Sequence, residues 1–123
     1  KRMGVRVVER PLAGGRRGKY LHHDRTIILR PGMARFRGRS TFAHELGHAH
    51  YGHEPAHDQA LHARQERLAD EWAAKTLINP VDYALAEVMY GPHVGVLANH
   101  LEVTPKLVRV WRSLVLHDVP EAI

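Results

Sequence analysis

Arg39-Ser40-Thr41-Phe42-Ala43-His44-Glu45-Leu46-Gly47-His48 is the stretch that decides how this 123-residue chain is read. Phe42, Leu46 and Ala49 recur at spacings of four and three. That periodicity predicts a helix from about Ala34 or Ser40 to Tyr51, with Gly52 as its stop and Pro55 beyond. On such a helix His44 and His48 stand one turn apart on one face, so their imidazoles can converge on one cation. Zinc accepts imidazole nitrogen at about 2.0–2.1 Å. The chain has no cysteine, so only His, Asp and Glu are left to hold a metal. Glu45, next to the first of the two His, is placed beside the ion as a base rather than as a ligand.

A third ligand is sought downstream, where Glu54, Asp58, Glu66, Asp70 and Glu71 are the available acids. Leu61, Leu68, Trp72 and Leu77 form an apolar stripe that predicts a second helix reaching about Ile78. Glu54 and Asp58 fall in the polar, His-rich connection before it. On the helix, Glu66, Ala69, Asp70 and Ala73 share a face, whereas Glu71 points about 140° away from Glu66. Ala69 and Ala73 are small, as are Ala43 and Gly47 beside the two His, so these faces can approach closely. Glu66 is therefore the expected third ligand. Asp70, one turn on, is expected to accept the free ring N–H of His44, fixing its tautomer.

The stretch 39–48 resembles the active-site helix of the ImmA/IrrE family of metallo-endopeptidases. Glu66-Arg67-Leu68-Ala69-Asp70-Glu71-Trp72-Ala73-Ala74 resembles that family's second motif, ExxAxxFA, and Leu77 to Pro80 matches the ending that follows. Trp72 stands where Phe is usual and Asp70 where Asn is common. The resemblance spans about residues 18 to 116. It implies zinc held by His44, His48 and Glu66, with Glu45 as the catalytic acid and base. It also implies protein substrates that are helix-turn-helix repressors, whose cleavage turns on stress-response or prophage genes.

The remaining sequence frames this centre. Residues 5–9, 19–22 and 26–29 read as short strands, and Gly14, Gly15 and Gly18 mark a flexible turn between the first two. Asn79-Pro80 and Thr104-Pro105 are cap-plus-proline helix starts, and Gly91-Pro92 is a break. The expected fold is α+β: a small N-terminal antiparallel sheet packed on the active-site helix, then a helical part with a helix-turn-helix-like end. The length suits one domain over 1–123, with a strand-rich lobe at 1–32, metal-binding helices at 33–78 and a helical tail at 79–123.

Charge is uneven. Residues 1–40 carry twelve Lys or Arg against Glu9 and Asp24, while residues 41–90 carry three against eight acids. An anionic partner at the first lobe and a cation in the middle are the functional expectations. No apolar run approaches the length of a membrane span, and the first ten residues lack a signal-type apolar stretch, so a cytoplasmic location is expected. The chain opens on Lys rather than Met, and a trimmed start is expected.

Eleven histidines leave several beyond the motif. His50, Tyr51 and His53 are candidates for stabilising an oxyanion, which a peptidase needs. His22, His23, His93, His100 and His117 are expected to be ordinary surface or half-buried residues. Lys106, Arg109 and Arg112 share a face of the last helix, and a DNA-reading role there is the rival expectation. In that reading the chain is a DNA- or protein-binding regulator with a structural or vestigial metal site. The net charge of zero over residues 91–123 argues against DNA binding as the main role.

Overall fold

A computed structural model describes residues 3–118, with side chains through Val115. The expectation for the His117 side chain and the two ends of the 1–123 span fall outside what is described. Among the described residues three strands, β1 (Arg6–Glu9), β2 (Gly18–Leu21) and β3 (Thr26–Leu29), precede five helices. The helices are α1 (Arg35–Tyr51), α2 (Gln59–Leu77), α3 (Pro80–Tyr90), α4 (Val94–Leu101) and α5 (Pro105–Asp118). The architecture is α+β.

The sheet order is β1-β3-β2. β2 and β3 pair antiparallel, with Tyr20 opposite Ile27, as the short turn at His22–Arg25 requires. β1, however, runs parallel to β3, with Val7 opposite Ile27. The sheet is thus mixed, not wholly antiparallel as expected. The connection between Glu9 and Gly18 is long enough to carry the chain from one edge of β3 to the other, which local alternation does not reveal. A short 3-10 turn at Ala13–Gly15 sits within it.

Two apolar clusters flank α1. Val5, Tyr20, Ile27 and Ala49 bury the sheet against one side of the helix. Ala43 joins the other cluster, built from α2 to α5 around Ala73, Ile78, Leu97, Val108 and Trp111. The tail is pinned to α1 by polar contacts as well. The Arg39 guanidinium donates to the Glu102 carbonyl at 2.7 Å, and the Thr104 N–H donates to Ser40 Oγ at 3.1 Å.

Helix boundaries follow their caps. Asp58 accepts the Ala60 and Leu61 N–H groups at the start of α2. Asn79 does the same for Val81 and Asp82 ahead of α3, with Pro80 at the first helical position. α1 ends on Gly52 at φ 67°, ψ 37°, a left-handed cap suited to glycine. Among the described residues no helix is long and apolar enough to cross a membrane.

Candidate metal centre and active site

Close approach of α1 and α2 builds the site. Gly47 permits it: a Cβ there would lie 2.9 Å from both Cα and O of Ala69. With the two backbones nearly touching, the side chains that flank the contact are brought face to face. His44 and His48 from α1 meet Glu66 and Asp70 from α2.

The distances are short and mutually consistent. His44 Nε2 and His48 Nε2 are 3.1 Å apart. Glu66 Oε1 lies 3.2 Å from His44 Nε2, and Glu66 Oε2 lies 2.8 Å from His48 Nε2. Four ligands arranged tetrahedrally at about 2.0–2.1 Å stand roughly 3.3 Å from one another. One donor atom from each of His44, His48 and Glu66 lies within 4.8 Å of the others, so the three side chains fit a small divalent cation. Glu71, on the same helix, is not in this group.

The outward nitrogens of the two imidazoles are also engaged. Asp70 Oδ1 accepts from His44 Nδ1 at 2.8 Å, and Lys106 Nζ donates to Asp70 Oδ2 at 3.2 Å. His48 Nδ1 lies 2.9 Å from His53 Nδ1. Sequence reasoning placed Asp70 at this position but did not find the His53 pairing or the reach of Lys106. The signal for His53 was present in the glycine stop at Gly52, which turns the chain back toward His48.

Electrostatics follow from this packing. Burial pulls the His44 imidazolium down, but hydrogen bonds to Asp70 and Glu66 and the nearby Glu45 charge outweigh it and raise its pKa from 6.5 to about 9. Hydrogen bonds from His44 and His48 hold the Glu66 carboxyl far below its usual range, against burial. Burial pushes Asp70 up, yet its bond from His44 and the charges of His44 and Lys106 bring it below its ordinary value. Burial and the His48 charge lower His53.

Glu45 faces another environment. It is only 6% exposed, and burial raises its carboxyl pKa, partly offset by His44 and His48. Its side chain lies against β2 at Gly18, where a Cβ would come within 3.1 Å of Glu45 Cγ and 2.7 Å of Thr41 Cγ2. A buried carboxyl with a raised pKa beside a group of metal donors holds a proton more readily than an exposed one and can serve in proton transfer.

These groups line a cleft of about 660 Å³ that runs between β2 and the start of α5. Arg16, Arg17 and Lys19 line its sheet side, and Thr104 and Lys106 its tail side. Of the three oxyanion candidates, His53 lines the cleft. His50 packs at a tilt against Trp72 with centroids 5.6 Å apart, and Tyr51 stacks on His53 at 5.3 Å. The face of α5 offered for DNA is split. Lys106 is directed to Asp70, and Arg112 donates to Tyr83 Oη at 2.7 Å and to the Pro92 carbonyl. Arg109 remains exposed.

No curated protein matches this chain. A match to the peptidase M78 family, described as the IrrE N-terminal-like domain, runs over residues 1–110 and so takes in the sheet, both site helices and the first part of α5. That family is one of metallopeptidases, and the His44, His48 and Glu66 group is compatible with such an activity. With the match covering nearly all of its length, the chain belongs to the M78 peptidases, the ImmA/IrrE family.

Proposed function

We propose that this chain is a zinc-dependent endopeptidase that cuts a DNA-binding, helix-turn-helix repressor and thereby releases stress-response or prophage genes. Three donors converging on the floor of a cleft, with the buried Glu45 beside them, carry this assignment. His44, His48 and Glu66 hold the metal, and Asp70 orients His44. Zinc, when bound, supplies Lewis-acid polarisation of the scissile carbonyl and lowers the pKa of a coordinated water toward about 7.

The protein's own groups do the rest. Glu45 takes a proton from the attacking water and returns it to the leaving amine, a cycle its raised pKa favours. Glu66 stays ionised, because its hydrogen bonds hold it low. The sheet side of the cleft, with Arg16, Arg17 and Lys19, draws an acidic stretch of substrate and steers encounter. The chain works as one unit in the cytoplasm, the strand-rich part supplying the basic wall, α1 and α2 the metal, and the helical tail the opposite wall.

Two experiments test this. The first is elemental analysis of purified protein and variants. One zinc per chain is expected, lost in Glu66→Ala and kept in Glu71→Ala; the reverse pattern would assign the wrong acid. The second is incubation with a repressor encoded next to this gene and, separately, with an unstructured protein, at low and high salt. Cleavage of the repressor at one or a few sites, weakened by salt and abolished in Glu45→Gln, is expected. Equal, salt-indifferent cleavage of both substrates would point to a general protease instead.

A further inference from the structure

A histidine that binds a metal through one nitrogen commonly donates its other N–H to an oxygen, either a carboxylate, a backbone carbonyl or a water. His44 follows that pattern through Asp70. His48 does not: the atom 2.9 Å from its Nδ1 is a ring nitrogen, Nδ1 of His53. Two ring nitrogens can share one hydrogen only if one is protonated and the other bare.

The backbone explains how His53 arrives there. Gly52 adopts a left-handed conformation and its N–H bonds to the Ala49 carbonyl. The next N–H, that of His53, bonds back to the His48 carbonyl at 2.9 Å. This pair of bonds is the Schellman closure of a helix end. It folds the residue after the cap onto the residue five earlier. The same two residues are thereby tied twice, once through backbone and once through their rings, whose centroids are 5.2 Å apart. Tyr51 packs against the His53 ring at an interplanar angle of 17°. The His53 ring is thus held by both Tyr51 and His48.

We infer that His53 is a positioning residue for His48, its bare Nδ1 accepting the His48 Nδ1–H so that His48 presents Nε2 to the metal. The inference rests on the assignment of His48 as a metal ligand. Its chemistry fixes the state of both rings. His48 carries its hydrogen on Nδ1. His53 carries its own on Nε2, which leaves that N–H as a donor on a ring that lines the cleft. The two ligand histidines are then oriented by unlike partners: an anion for His44 and a neutral ring for His48. Only the anion adds charge that makes its histidine a stronger donor, so His53 contributes chiefly orientation.

The test is zinc affinity in His53 variants, read by competition with a chromophoric chelator. Asparagine places its carbonyl oxygen where histidine has Nδ1, while glutamine places its amide group one bond further out, at the position of Nε2. His53→Phe keeps the stacking on Tyr51 but cannot accept a hydrogen bond, and is expected to lower zinc affinity about 10–100-fold. His53→Asn is expected to recover most of that loss and His53→Gln little of it. A role in packing alone predicts the opposite order, with Phe closest to the native protein. Equal affinity in all three variants, or the packing order, overturns the inference.

A second measurement does not depend on substitution. A long-range 15N–1H spectrum of the zinc-loaded native protein is expected to give His53 as the neutral tautomer with hydrogen on Nε2. A hydrogen on His53 Nδ1 overturns the inference. Failure of the peptidase assignment reads differently: the affinity order persists but no substrate is cut. A native protein that takes up no zinc overturns both.

Discussion

Lys106 on α5 donates to the same Asp70 carboxylate that orients His44, at 3.2 Å to Oδ2, while Oδ1 is 2.8 Å from the imidazole. The helical tail therefore closes the metal site from the side opposite the sheet. A residue offered by the sequence as a DNA contact becomes a partner of the Asp70–His44 pair. The contact is lopsided: the Asp70 side chain is 12% exposed and that of Lys106 is 69% exposed.

That asymmetry sets the expected effects. An exposed partner in an ion pair is worth about 0–1 kcal/mol. Lys106→Met should change zinc affinity by less than about tenfold, with the fold intact. Asp70→Ala removes a buried acceptor from His44 and should cost about 10–100-fold in zinc affinity. Chelator competition on both variants checks this; equal losses would mean that Asp70 orients His44 only while Lys106 holds its other oxygen.

Gly47→Ala tests the helix contact that creates the site. Its Cβ meets Ala69 backbone, which cannot rotate out of the way. Separation of α1 from α2 should destabilise the protein by about 1–3 kcal/mol, as overpacked cores do, and also weaken zinc binding because Glu66 retreats from the two imidazoles. Ala69→Gly in the same background leaves the clashing backbone in place and should not restore either property. Denaturant melts and zinc titrations measure the two effects. A Gly47→Ala variant with native stability and native zinc affinity would contradict the geometry.

The metal-free protein should have a bell-shaped stability profile. His44 has a folded pKa of about 9 against 6.5 in the unfolded chain, so its contribution is full below pH 6.5 and is lost as pH rises through about 9. Glu66 and Asp70 are held below their ordinary values of 4.5 and 3.8, so their contribution is present above those values and is lost as pH falls through the folded ones. Greatest stability is expected between about pH 4.5 and 6.5. Zinc must displace the His44 proton, so affinity should rise with pH up to about 9, by about tenfold per unit for that one proton. Melts of chelator-treated protein from about pH 4 to 10, with proton release measured on zinc addition, check both. A metal-free protein that gains stability from about pH 7 to 9 would contradict the His44 assignment.

DNA binding through α5 should be weak. Arg112 is committed to Tyr83 and Lys106 to Asp70, which leaves Arg109 as the exposed member of the three without such a commitment among the described residues. Binding to duplex should fall steeply with salt and show no sequence preference at physiological ionic strength. A nanomolar, sequence-dependent complex abolished by Arg109→Ala would favour the regulator reading over the peptidase.

Much of the centre was legible in the chain itself because helices translate spacing into geometry. A separation of four residues puts His44 and His48 on one face of any helix. A separation of four does the same for Glu66 and Asp70, and small residues at Ala43, Gly47, Ala69 and Ala73 advertise where two helices meet. Caps at Asn79-Pro80 and the stop at Gly52 mark helix ends for reasons local to a few residues. The strand periods were equally local. Their pairing was not: the β1–β3 register joins residues 20 positions apart, such as Val7 and Ile27, and nothing in a period of two says whether neighbours run parallel. The same limit hid Lys106, 36 positions from Asp70, whose exposed helix face reads as a solvent or DNA face until α5 is docked on α2. Local patterns thus determined the helices, the donor types and the ligand spacing. Only the tertiary structure decided the mixed sheet, the cleft between β2 and α5, and the reach of Lys106 to Asp70, because those depend on how distant segments pack and no local period encodes that.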